Sequence, residues 1–208
     1  MSELAVAASV IVIEDDPSFR RSLERLLSSE GFHVVAFGCA ADFLSAPPSP
    51  GPACLVLDVH LPGLNGLDLQ RQLMSAENLL PIIFLTGRGD IPTSVRAMKQ
   101  GAIEFLTKPV RDEELFAAVR QGIERDRTAR VEQAQKRELR SHYNTLTSRE
   151  REVMRHVVAG RLNKQIASEL GTTEKTVKFH RGHLMKKMRA VSVAELVRKA
   201  ASLDMPAR

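Results

Sequence analysis

Cys54-Leu55-Val56-Leu57-Asp58-Val59-His60-Leu61-Pro62-Gly63-Leu64-Asn65-Gly66 is the stretch on which the fold turns. Its first four residues form an apolar run of the length of a buried strand, and Asp58 ends it. The loop that follows carries Pro62, Gly63 and Gly66, which interrupt regular structure. A carboxylate at the carboxyl end of a central strand stands where open α/β sheets bind ligands. An earlier apolar run, Val10-Ile11-Val12-Ile13, also ends on acid, at Glu14-Asp15. If the two strands are parallel and adjacent, three carboxylates converge on one point. Such a site suits a hard divalent cation and, at Asp58, an aspartyl nucleophile.

Outward from these two strands the first half of the chain alternates. Strands are predicted at 10–13, 32–37, 54–57, 82–86 and 103–106. Helices are predicted at 17–29, 66–76, 93–100 and 112–125. In the first helix Phe19, Leu23, Leu26 and Leu27 form one stripe, with Asp16 as N-cap and Pro17 in the first turn. Gly101 sits at a C-cap position. Strands alternating with helices imply an α/β domain over residues 1–125, a five-stranded parallel sheet covered on both faces. The segment Ala46-Pro47-Pro48-Ser49-Pro50-Gly51-Pro52 reads as a surface loop.

The chain of 208 residues is 43% hydrophobic and 26% charged, a balance expected of a globular protein. No stretch approaches the ~18 apolar residues of a membrane span, and no signal peptide is apparent. Cys39 and Cys54 lack metal or redox spacing and read as reduced thiols, so the expected compartment is the cytoplasm. The net charge of +5 conceals an asymmetry. Residues 1–125 carry 11 Lys and Arg against 16 Asp and Glu; residues 126–208 carry 19 against 9. A basic half joined to an acidic one points to one module that meets nucleic acid and one that does not. Residues 126–145, rich in Gln, Arg, Glu and Lys, read as a charged helical linker. Residues 146–208 read as an all-helical domain of four short helices, broken at 160–162, 171–173 and near 190–191.

Phosphoryl chemistry on a carboxylate brings two negative partners together, so it needs a cation to neutralise the site and bridge to a phosphoryl oxygen. Magnesium takes few protein ligands and keeps several waters. Asp15, Asp58 and a backbone carbonyl just beyond Asp58 suffice. Lys108 ends the fifth strand with an ammonium able to pair with a phosphoryl oxygen, and Thr86 ends the fourth with a hydroxyl donor. Taken singly each is an ordinary turn or surface residue; together they occupy the carboxyl ends of four strands. These residues, Glu14-Asp15, Asp58, Pro62-Gly63 with Gly66, Thr86 and Lys108-Pro109, resemble the receiver domain of two-component response regulators over residues 10–120. The resemblance implies a flavodoxin-like, doubly wound fold and phosphoryl transfer to Asp58 from a sensor histidine kinase. It implies Mg2+ or Mn2+ held by Asp15, Asp58 and the His60 backbone carbonyl, with Glu14 acting directly or through water. It also implies that Lys108 contacts the phosphoryl group and that Thr86 and Phe105 form a switch pair. Two positions depart from the common pattern: Glu14 where Asp is usual, and Phe105, without a hydroxyl, where Tyr is frequent. Gly87-Arg88-Gly89-Asp90 reads as a loop, and no GxGxxG or Walker-type loop is present.

In the basic half, Asn163 to Leu170, the turn Gly171-Thr172-Thr173 and the run from Glu174 have helix-turn-helix spacing, 163–182. At ~100° per residue, Val177, Leu184 and Met188 fall on one side of the second helix. Lys175, Lys178, Gly182 and Lys186 fall opposite, with Phe179 at their edge. An ordinary amphipathic surface helix has the same pattern, but this lysine face directly follows a turn and a short helix. The runs Leu146 to Val153, Asn163 to Ala167 and Thr176 to His180 resemble the LuxR-type output domain, and the whole chain resembles the FixJ/NarL class. By that resemblance Lys178 and Phe179 contact base edges or the groove, and Lys164, Thr173, Lys175, Arg181 and Lys186 contact phosphates. It further implies a cytoplasmic bacterial regulator that dimerises on phosphorylation, binds double-stranded promoter DNA and acts through RNA polymerase. On this reading the chain is not a turnover enzyme. The rivals are a constitutive DNA binder whose first half is only a dimerisation platform, and an aspartyl-phosphate hydrolase. The second lacks an acid next to Asp58 and a cap insertion.

Overall fold

The computed structural model describes residues 7–76, 78–87 and 91–203. Five strands, β1 (Ser9–Ile13), β2 (His33–Phe37), β3 (Ala53–Asp58), β4 (Ile82–Thr86) and β5 (Glu104–Thr107), form one parallel sheet in the order β2-β1-β3-β4-β5. Helices α1 (Pro17–Ser29), α2 (Ala40–Ser45), α3 (Gly66–Ser75), α4 (Ile91–Lys99) and α5 (Asp112–Asn144) follow the strands in turn. Successive strand residues point to opposite faces. Val10, Val12, Cys54, Val56, Ile83 and Leu85 pack with Leu23 and Leu27 of α1 and Leu115, Val119 and Ile123 of α5. Ile11, Ile13, Leu55, Leu57, Ile82 and Phe84 pack with Ala40, Leu69, Leu73 and Ala97 of the other three helices. Both faces are thus apolar, which is why β1, β3 and β4 read as continuous hydrophobic runs rather than alternating ones.

The doubly wound α/β fold matches the expectation, with local differences. The short α2 escapes notice because six residues give too little periodicity to register. β5 begins at Glu104, one residue later than the apolar pattern places it, because Ile103 is buried just ahead of the strand. α5 runs on without a break to Asn144, through the segment read as a charged helical linker. Asp126 of α5 is buried, and its Oδ2 accepts from the Ala53 backbone N–H at 2.8 Å and from Arg130 Nε at 2.6 Å. This ties α5 to the start of β3 and carries the first unit to Arg130, five residues beyond the expected boundary. Gly122 lies where α5 meets β3: a Cβ there would stand 2.8 Å from Cys54 Cβ.

The second unit, residues 131–208, is described to Leu203. It contains α6 (Ser148–Val158), α7 (Asn163–Glu169), α8 (Glu174–Lys187) and α9 (Val193–Ala201), the four helices predicted. Val153, Met154, Val157, Ile166, Val177, Leu184, Met188 and Leu196 form its core. Glu150 closes a capping box at the start of α6: its carboxylate accepts from the Thr147 backbone N–H, and its own N–H donates to Thr147 Oγ1. Among the described residues no helix is long and apolar enough to cross a membrane.

Candidate functional site

β1 and β3 are neighbours, so the acids that end them meet. Carboxylate oxygens of Glu14, Asp15 and Asp58 lie within 4.8 Å of one another, with Glu14 and Asp58 buried and Asp15 exposed. Lys108, just past β5, reaches across to both buried acids: Nζ is 2.7 Å from Glu14 Oε2 and 2.6 Å from Asp58 Oδ2. The Lys108 backbone N–H donates to the Thr86 carbonyl at 2.7 Å, which anchors the side chain over the site. Three carboxylates therefore face one ammonium. The surplus negative charge, with oxygen donors at this spacing, fits a hard divalent cation.

Burial pushes the Glu14 carboxyl above its ordinary range; the bond and charge of Lys108 pull it down without cancelling the push, and Asp58 adds to it. At Lys108 burial favours the neutral amine, but the bonds to Asp58 and Glu14 outweigh it, so the ammonium is held above its ordinary pKa. Asp58 Oδ1 accepts from the His60 backbone N–H at 2.9 Å. This bond turns the loop beyond β3 back over the carboxylate. Gly66 completes that turn: its N–H donates to the Val59 carbonyl, and a Cβ there would stand 2.4 Å from the Asp58 carbonyl oxygen. Only glycine permits that approach.

Thr86 is fully buried at the end of β4. Phe105 is half-buried on β5, with its ring centroid 6.1 Å from that of Phe84. The His60 residue itself is exposed. Two supporting residues escape a reading by motif. Arg20 Nη1 donates to the carbonyls of Glu14 at 2.6 Å and Asp15 at 3.3 Å, fixing the acidic pair from α1. The Phe19 ring lies under the ammonium of Lys108, 4.4 Å from its centroid. Their only sequence signal is position, one turn after the acidic pair on a helix whose apolar face is otherwise aliphatic. Arg88, Gly89 and Asp90 of the Arg-Gly-Asp loop lie outside the described residues.

In the second unit α7 and α8 are joined by a turn in which Gly171 has φ +60, and Thr173 caps α8 by accepting from the Thr176 N–H at 3.2 Å. Arg149 Nη2 donates to the Leu170 carbonyl at 2.8 Å, and Arg181 Nη1 to Asn163 Oδ1 at 2.9 Å. The first bond ties the end of α7 to α6 and the second braces α8 against α7, so Arg181 and Thr173 serve the motif's own geometry. Val177, Leu184 and Met188 are fully buried. Lys175, Lys178, Gly182 and Lys186 are exposed on α8, as is Lys164 on α7. Phe179 is 62% exposed, and its ring centroid lies 4.4 Å from that of His183. A Cβ at Gly182 would meet nothing, so the middle of this face is open. A cationic helix face with a small residue at its centre and a bare aromatic at its edge is shaped for a nucleic-acid groove.

Comparisons with known proteins agree with both halves. Residues 10–120 match the family described as response regulator receiver domain, and residues 144–200 match bacterial regulatory proteins, luxR family. Nodulation protein W of Bradyrhizobium diazoefficiens is 52% identical over 206 residues, 99% of this chain and 91% of that protein. Transcriptional regulatory protein FixJ of the same organism is 39% identical over 196 residues, 94% of this chain and 96% of that one. The solved structure of response regulator StyR superposes with a TM-score of 0.84 at 42% identity, covering 94% of this chain and 98% of that chain.

Proposed function

The chain belongs to the response-regulator family, with a receiver domain followed by a LuxR-type DNA-binding domain, and on that premise we propose that Asp58 is its phosphoryl acceptor. A receiver domain implies a histidine kinase as donor, and a LuxR-type domain implies DNA as target. The Asp58 carboxylate attacks phosphorus; the new P–O bond forms as the P–N bond of the kinase phosphohistidine breaks, and the departing imidazole takes up a proton. Asp15, Asp58, the His60 carbonyl and Glu14 would hold a magnesium or manganese ion, which would supply positive charge against the phosphoryl oxygens. Lys108 follows the negative charge from Asp58 Oδ2 to a phosphoryl oxygen. Thr86 turns its hydroxyl to a second oxygen, and the ring of Phe105 moves into the space this opens. Hydrolysis of the acyl phosphate ends the signal, so the chain carries one phosphoryl group at a time rather than turning over a substrate.

The rearranged surface next to Thr86 and Phe105 pairs with a second copy, and two helix-turn-helix units then occupy two half-sites of promoter DNA in the bacterial cytoplasm. There the dimer regulates transcription through RNA polymerase. Lys178 and Phe179 face the base edges; Lys164, Lys175 and Lys186 face phosphates, with Thr173 and Arg181 at the margin of that surface. The observation that carries this reading is the ammonium of Lys108 set between Glu14 and Asp58, beside the third carboxylate of Asp15.

Intact mass after incubation with acetyl phosphate and magnesium tests it. One added phosphoryl group is expected in the wild type and none in Asp58→Asn. Phosphorylation is then expected to tighten promoter binding in a mobility-shift titration. Equal DNA affinity for wild type and Asp58→Asn under phosphorylating conditions makes the receiver a passive platform and overturns the proposal.

A further inference from the structure

A six-residue α2 leaves part of one sheet face without a helix over it. Ile11 of β1 pairs in register with Val35 of β2 and with Leu55 of β3, and all three point to the same face. Leu55 is fully buried and Ile11 nearly so, yet Val35 is 37% exposed. α2 meets the face one step further along, where the rings of Phe37 and Phe43 stand edge to face at 5.8 Å. The helix stops at Ser45 because Pro47, Pro48 and Pro50 follow, and proline neither donates the helical bond nor tolerates the preceding turn. The proline-rich segment instead forms a rim, and between it, the strands and the end of α3 lies a cavity of about 610 Å³. Small-molecule sites fall in the range of ~300–1,000 Å³.

The polar side chains that line this cavity are Ser9, His33, Ser49, Asn78 and Arg130. Ser9 Oγ and His33 Nδ1, 3.2 Å apart, belong to its lining, as does Arg130 of α5. Arg130 spends Nε on Asp126 Oδ2, which leaves its two amino groups to donate elsewhere. Among the described residues that line the cavity none is Asp or Glu; His33 and Arg130 are its ionisable groups. Apolar walls with a guanidinium at one end and no acid in the lining, the Asp126 carboxylate behind Arg130 being shared with the Ala53 N–H, complement an apolar body bearing a negative head. A guanidinium offers paired donors to a carboxylate or sulfonate.

We propose that this cavity, floored by Ile11 and Val35 and rimmed by the proline loop, binds a small organic anion whose apolar body lies on the sheet and whose acid group meets Arg130. The site is separate from the acidic cluster at the opposite, carboxyl ends of the strands. Neither assignment depends on the other.

Titration of the full chain with the dye anilinonaphthalene sulfonate, read by fluorescence and calorimetry, is expected to give one saturable site. Val35→Trp fills the floor and abolishes it. Arg130→Gln weakens it by about tenfold, the loss of one charge-assisted contact. Phenylnaphthylamine, with the same rings and no sulfonate, binds wild type and Arg130→Gln alike. Val95→Asp, on an exposed apolar stripe of α4, leaves dye affinity unchanged. Thermal unfolding establishes that each variant is folded. Undiminished dye binding by folded Val35→Trp, or loss of binding in Val95→Asp, overturns the assignment. So does a self-association in light scattering that Val35→Trp alone removes, since the occupant is then a second copy of the chain. Asp58→Asn binds the dye like wild type whether or not Asp58 accepts a phosphoryl group, which keeps the two conclusions apart.

Discussion

Glu14 in the receiver and Glu150 in the output domain are both buried carboxylates with a lysine Nζ at 2.7 Å, yet their pKa values move in opposite directions. At Glu150 burial raises the pKa, but the Lys187 bond and the two capping bonds with Thr147 outweigh it, and the carboxyl sits below its ordinary value. At Glu14 burial wins over Lys108, with Asp58 pushing the same way, and the carboxyl sits above it. The difference is one of ratio. Lys108 is shared between two buried acids with a third nearby, whereas Glu150 draws on a lysine and its own helix cap. The carboxylate of the helix cap is fully compensated; the one in the candidate cation site is left short of positive charge.

Substitutions can break this contrast. Glu150→Gln keeps the shape but removes the charge that Lys187 and the cap stabilise. It is expected to destabilise the output domain by about 2 kcal/mol, seen as a lower urea midpoint. Lys108→Met removes the cation that competes for Glu14 and Asp58. Magnesium is then expected to bind about tenfold more tightly and to raise Tm more than in wild type. On the role proposed for Lys108, phosphoryl uptake is expected to fall in the same variant. Glu14→Gln relieves an ionisation that burial opposes, so the metal-free protein is expected to gain on the order of 1 kcal/mol at neutral pH while losing magnesium affinity. Losses of stability of the same sign and similar size at positions 14 and 150 would erase the distinction drawn between them.

pH sharpens the same comparison with the smallest effect. Glu150 has a depressed pKa, so its contribution is complete above 4.5 and is lost as pH falls through the lowered value. Glu14 has a raised pKa, so its cost to the folded state is present above that value and disappears as pH falls through it towards 4.5. Acidification is therefore expected to loosen the output domain only below pH 4.5. Magnesium affinity, which needs Glu14 ionised, begins to fall above that pH. Fluorescence-detected unfolding and magnesium titration across this range separate the two.

Much of this architecture is legible along the chain because its signals are local. Proline at the start of α1 after an Asp cap, apolar strands ending on acid at Asp15 and Asp58, and the spacing of Val177, Leu184 and Met188 each act within a few residues. α2 is missed because six residues make less than two turns. Residues 126–145 are read as helical, but their union with α5 in one unbroken helix is missed, because the surface there is largely polar and periodicity falls silent. What holds it to the sheet is a single carboxylate, Asp126, bonded to a backbone N–H 73 positions earlier.

From sequence alone follow the alternation of strands and helices, the acids at strand ends and the split between an acidic and a basic half. Tertiary structure decided which charge faces which. Lys108 reaches Glu14 across 94 positions and Asp58 across 50. Whether a buried acid rises or falls in pKa depends on how many partners share its cation. The open floor at Val35 likewise depends on what a short helix fails to cover. Periodicity is a property of neighbours in the chain, whereas charge balance and cavity shape belong to neighbours in space.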